Sequence, residues 1–89
     1  MPANLTATER RVTREAAQAL VGRTIRRVFY LPARTADDLY WDHRPLVLEF
    51  DDGTTLYAAC DEEGNDAGAM FVDRGPHFLC LGRLPVEGR

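Results

Sequence analysis

The chain has 89 residues, 45% hydrophobic and 28% charged, with a formal net charge of −3 and a pI near 5.2. That length holds one domain with one modest core, and that hydrophobic share excludes wholesale disorder. No apolar run nears the ~20 residues of a membrane span, and MPANLTATERR lacks the apolar stretch of a secretory signal, so the expected compartment is the cytoplasm, with no membrane partner.

Residues 1–5 are expected to fray. Thr6-Ala7-Thr8-Glu9 then reads as a capping box, and a helix follows to Val21. Ala16, Ala17 and Ala19 favour it, Arg11 and Glu15 pair at i,i+4, and Gly22 is the stop. Val12, Ala16, Ala19 and Leu20 share one face, a thin stripe that cannot hold a helix alone in water. Arg23 to Leu31 is the first strand, rich in β-branched and aromatic residues. Strict alternation would bury Arg27. A bulge at Arg26-Arg27 instead turns Ile25, Val28 and Tyr30 inward and both arginines out, and this reading is preferred.

Thr35 to about Tyr40 predicts one helical turn, followed by Trp41 as an anchor. Leu46–Phe50 and Thr54–Cys60 predict a hairpin around Asp51-Asp52-Gly53. A three-residue loop with Gly53 left-handed sets Leu48 opposite Leu56 and puts Leu46, Leu48, Leu56 and Ala58 on one face. After the acidic stretch 61-DEEGNDAGA-69, residues 69–73 and 77–81 predict a second hairpin around Arg74-Gly75-Pro76. Its strands are apolar on both faces, so they are expected to be buried twice, in a barrel or against a partner subunit. Residues 83–89 read as a tail, which leaves 6–82 as a single domain. The expected class is α+β: one N-terminal helix, then about five short antiparallel strands in a strongly bent sheet or partly closed barrel of SH3-like size.

Charge is unevenly spread. Residues 1–34 carry seven arginines against Glu9 and Glu15, whereas residues 35–89 carry four against twelve acids. The halves should attract, within one molecule or between two. Every basic residue is arginine, so every cation is a permanently charged, bidentate donor. Cys60 and Cys80 are too few for a disulfide framework and read as buried thiols, with a bridge open to them only if their strands pair.

One likeness rests on particular residues: Gly22 and Ile25; Trp41, Arg44, Pro45 and Leu46; Asp51-Asp52-Gly53; and Asp61, Glu63, Gly64, Asn65, Asp66, Gly68 and Ala69. Over roughly residues 20–72 the chain resembles a family of short, uncharacterised bacterial proteins with a W-x-x-R-P-L, D-D-G and D-x-E-G-N-D-x-G-A pattern. The resemblance implies a compact β-rich fold and no particular activity. The arginine-rich helix before Gly22 looks like an addition to that pattern.

Asp61, Glu63, Asn65 and Asp66 are the only weak metal candidates. Asp61, Glu63 and Asn65 occupy positions 1, 3 and 5 of a calcium loop, but position 6 is Asp66 and position 12 is Val72 instead of Gly and Glu. The alternative is an ordered turn in which Asp61 or Asn65 caps amides, Gly64 and Gly68 supply positive φ as Gly53 does in its own turn, and Arg44, Arg74, Arg26 or Arg27 neutralises the acids. A recognition loop for a partner is a third reading. His77 and Cys80 face opposite sides of a strand and do not suggest zinc, the chain has no serine, and His43 and His77 sit in no catalytic motif. No catalytic residue or cofactor is expected. Candidate binding residues are Arg26, Arg27, Trp41 and Arg44. Together these readings favour a domain acting through a protein partner, with a homodimer as one form. Nucleic-acid binding through the arginine-rich helix and first strand stands as the alternative, against which the net acidity weighs.

Overall fold

The computed structural model describes residues 6–87. The expected frayed start and the last two residues of the expected tail lie outside the described residues. In chain order the elements are helix α1 (Ala7–Leu20), strand β1 (Ile25–Tyr30), helix α2 (Ala33–Asp38), and strands β2 (His43–Arg44), β3 (Leu46–Phe50), β4 (Thr55–Leu56), β5 (Met70–Arg74), β6 (His77–Leu81) and β7 (Leu84–Pro85). This is an α+β fold with one main helix and three small antiparallel sheets, β1-β3-β4, β2-β7 and β5-β6. No closed barrel forms among the described residues, and no helix is long and apolar enough to cross a membrane.

Local chemistry sets most boundaries. The Thr6 hydroxyl accepts from Glu9 N–H at 3.0 Å, capping α1, and Gly22 at φ +82° ends it. In β1 the register slips between Ile25 and Arg27, the expected bulge, which turns both arginines outward. The β3–β4 turn has the expected three-residue form. Gly53 sits at φ +88°, Phe50 N–H donates to the Thr54 carbonyl at 2.8 Å, and Leu48 pairs with Leu56. β4 is shorter than expected because the chain leaves the ladder after Leu56. Ala59 then bridges to Ala67 instead.

Helix α2 begins two residues before the expected cap at Thr35. Pro32, with φ fixed at −58°, takes the N-cap, and its carbonyl accepts from Ala36 N–H. At the far end Tyr40 N–H donates to Asp37 O and Trp41 N–H to Ala36 O, the double closure of a Schellman motif. The residue required to be left-handed is Tyr40, at φ +61°. A Cβ there costs about 1–2 kcal/mol, and the ring is 89% exposed, so it gains nothing from packing. Tyr40→Gly is therefore expected to stabilise the fold by about 0.5–1 kcal/mol, after the greater freedom of glycine in the unfolded chain is subtracted. Urea unfolding at constant slope would measure it, and a loss of stability would show that the ring has a packing role.

The core is small. Ala36, Trp41, Ala67 and Val86 form one buried cluster, with Leu31 packed against it, while Pro45, Val47 and Phe50 are buried in and beside β3. Residues 83–87 therefore do not trail away. β7 pairs with β2, and Val86 N–H reaches the Asp42 carbonyl at 2.9 Å.

Two elements stand apart from this core. α1 buries none of its residues against the described chain. The β5–β6 hairpin, expected to be covered on both faces, leaves Phe71, Phe78 and Leu79 more than half exposed. Ile25 and Val28, expected to face inward, are also more than half exposed. Cys60 and Cys80 are exposed free thiols, not core residues. The radius of gyration, 15.1 Å, exceeds the ~12 Å of a compact chain this long. The described residues supply too little apolar surface to close over their own strands.

Candidate functional site

The acidic stretch folds as a knot. Asp61 Oδ1 accepts from the Glu63 and Asn65 amides at 3.0 and 3.2 Å, and Asn65 Nδ2 donates to Asp61 Oδ2 at 2.7 Å. These bonds, led by the Asn65 side chain, hold the Asp61 carboxyl below its ordinary range. Gly64 takes φ +72°, as a turn of this kind requires. Its carbonyl accepts from Trp41 Nε1 at 2.6 Å, so the buried indole is both core and loop anchor.

Asp66 turns the other way. Its Oδ1 accepts from the Asp42, His43 and Ala67 amides at 3.1, 3.0 and 2.8 Å. His43 Nδ1 lies 2.7 Å from Oδ2, and an Arg83 guanidinium N–H donates to the same oxygen at 3.4 Å and to the Ala67 carbonyl at 2.9 Å. Burial alone would raise this carboxyl, but the His43 ring and the Ala67 and His43 amides together hold it below its ordinary range. The neutralising arginine is thus Arg83, not Arg44, Arg74, Arg26 or Arg27. Reading residues 83–89 as a tail hid it, and 23 residues separate His43 from Asp66 with no local signal to join them.

The four weak metal candidates consequently do not converge. Asp61 is occupied by its own loop, Asp66 faces β2, Glu63 is exposed, and no cluster of three or more His, Cys, Asp or Glu able to hold a metal ion occurs among the described residues. Gly68 also departs from expectation, since its φ is not positive. It is needed for close approach: an added Cβ would sit 2.7 Å from the Ala59 carbonyl oxygen, while Gly68 N–H donates to the Ala58 carbonyl at 2.7 Å. Gly68→Ala must therefore push two backbone segments apart and open the Ala59–Ala67 bridge, at about 2–3 kcal/mol. Gly64→Ala meets open space and costs only the left-handed strain, about 1 kcal/mol. Thermal melts of the two variants should rank in that order. Equal losses would contradict the close-approach role.

Arg26 and Arg27 stand side by side on Glu49, and Arg27 also lies 4.4 Å over the Phe29 ring. The hydrogen bond from Arg27, then that from Arg26, lowers the Glu49 carboxyl below its ordinary range, and the same contact raises Arg27. Arg23 is within 3.3 Å of Asp52. The basic first strand is thus joined to the acidic half inside one molecule. Arg44 is half-buried in β2, and its Nε is buried with no hydrogen-bond partner among the described residues.

The most open surface lies elsewhere. The β5–β6 register pairs Phe71 with Cys80 and Asp73 with Phe78, so these four share one face of the hairpin. Phe71 and Phe78 stack at 5.2 Å between centroids and are 62% and 65% exposed. The other face carries Met70, Val72, Leu79 and Leu81, most of it half-buried. The hairpin base is tied to the sheet by the Tyr30 hydroxyl, which donates to the Gly82 carbonyl at 2.8 Å. Comparison with protein-family models, with characterised proteins and with solved structures finds no match to this chain.

Proposed function

We propose that the protein is a non-catalytic interaction domain that works by self-association. The observation that carries this reading is the bare aromatic face of the β5–β6 hairpin. A two-stranded hairpin is marginal in water unless a face is covered. At 62% and 65% exposure Phe71 and Phe78 leave roughly 200–300 Å² of stacked aromatic surface in water, and aromatic rings are the side chains that interfaces concentrate. The undocked helix and the exposed Ile25 and Val28 point the same way. In this reading, contacts from a second copy complete the partly closed, barrel-like core that the strand pattern suggests. The nucleic-acid reading has less support, because Glu49 and Asp52 already engage the arginines of β1 and of the turn before it.

Phe78→Glu tests the reading. The residue is exposed and lies outside the buried cluster around Trp41, so the monomer fold, read by indole fluorescence, should survive. Dimer formation should weaken by about 2 kcal/mol or more, the effect of removing a central aromatic anchor. An unchanged association constant would remove this face from the interface.

A further inference from the structure

We propose that Arg44 is an anion-recognition residue whose ligand is a carboxylate. The proposal does not depend on self-association. Among the described residues Arg44 is the one arginine that is not exposed. Its side chain makes no ion pair and no hydrogen bond among them, and its Nε is closed to water as well. Arg23, Arg26, Arg27 and Arg83 show the opposite arrangement: all four are exposed, and each sits on a carboxylate. The least exposed of these cations is thus without an anion, in a chain that has 14 acids to 11 arginines.

Arginine cannot relieve burial by shedding its proton, as a lysine or histidine can. A half-buried guanidinium therefore stays charged, and an anion is what offsets it. An N–H shut away from both water and any acceptor adds to the cost. The two terminal nitrogens of Arg44 are not closed off as Nε is. The charge is shared over all three nitrogens, so an anion on the open edge also compensates the part that water cannot reach.

The fold explains why the chain's own acids do not supply that anion. Successive residues of a strand point to opposite faces. His43 turns to Asp66 and the acidic loop, so Arg44 turns away from them. Along and across the strands it meets Pro45, fully buried, and Leu84, its partner in β7. The fork is therefore flanked by apolar side chains, which strengthen a charge-assisted bond by keeping water from it. A carboxylate is the class that fits. It is planar and monovalent, and it takes two parallel N–H bonds from one guanidinium. A phosphate dianion would call for a second cation, and Arg83 is already held by Asp66.

The test is thermal unfolding of the full-length chain at pH 7 in sodium acetate against sodium chloride at equal ionic strength. Near saturation acetate should raise the wild-type Tm by about 5 °C, and phosphate should do no better. Arg44→Met keeps most of the stem and removes the charge. It should abolish the acetate response and melt no lower than wild type in chloride. Arg44→Lys keeps the charge without the planar fork and should retain only part of the response. An equal acetate shift in wild type and Arg44→Met, or no shift in either, would overturn the proposal. So would a phosphate shift larger than that of acetate. A Tm loss in Arg44→Met as large as that of a core truncation would show that the guanidinium is already satisfied within the fold, which also overturns it. Sedimentation in the same two salts separates the sources of the carboxylate. Acetate that dissociates a dimer competes with an acid of the second copy, whereas acetate that raises Tm and leaves sedimentation unchanged acts as a free ligand.

Discussion

Trp41→Ala is expected to cost about 3–5 kcal/mol. Trp41 is 4% exposed and lies at the centre of the cluster with Ala36, Ala67 and Val86. Each neighbour is small or belongs to a different segment, so removal of the indole leaves a cavity that no long side chain can fill. The same ring packs edge-on against Tyr57 at 6.0 Å and donates from Nε1 to the Gly64 carbonyl. The substitution thus removes the floor of the core and the anchor of the acidic loop together. Trp41→Phe should recover most of the packing and none of the hydrogen bond, so it should fall between the two. Denaturant melts followed by circular dichroism would measure both, and a loss below about 1 kcal/mol for Trp41→Ala would mean the cluster is not the core.

The second large effect is expected at Asp66. Asp66→Ala strips an acceptor from three backbone N–H groups, on Asp42, His43 and Ala67, and a partner from His43 and Arg83. The His43 and Ala67 donors are part-buried and cost about 1 kcal/mol each when unmet, whereas the exposed Asp42 N–H can turn to water, so the total should be about 2 kcal/mol. Asp66→Asn keeps one acceptor oxygen and should lose about half as much. The pH dependence is a separate signature. A carboxyl held below its ordinary value contributes stability in full above its unfolded pKa, near 4, and loses it as pH falls through the folded value. Asp61 and Asp52 act in the same direction, Asp52 chiefly through the Thr54 amide. Wild-type stability should therefore be flat down to about pH 4 and fall below it, and the fall should be shallower in Asp66→Ala. Parallel curves for the two proteins would mean that Asp66 is not held in its charged form by the fold.

What the sequence made legible was local. The Thr6 hydroxyl capped α1, Gly22 ended it, the adjacent arginines forced the bulge in β1, and Gly53 fixed the β3–β4 register. Each rests on a side chain acting on backbone within a few residues. Trp41 was legible as an anchor because a large ring between a helical turn and a proline has few other roles. Non-local matters were not legible. Nothing in the spacing of His43, Asp66 and Arg83 joins three separate segments, and Gly68 looked like a turn glycine when it is a contact glycine. Burial was overestimated for a physical reason. Apolar residues on both faces of β5 and β6 call for cover, but pattern alone cannot say whether the cover belongs to the same chain. The exposed Phe71 and Phe78 show that the described residues of this chain do not supply it.

Sedimentation velocity of the wild-type chain across the micromolar range tests that point most directly. A boundary that shifts from monomer to dimer as concentration rises is the expected result, with the shift lost in Phe78→Glu. A monomer of constant sedimentation coefficient at every concentration, with no apolar dye binding to the hairpin, would contradict self-association.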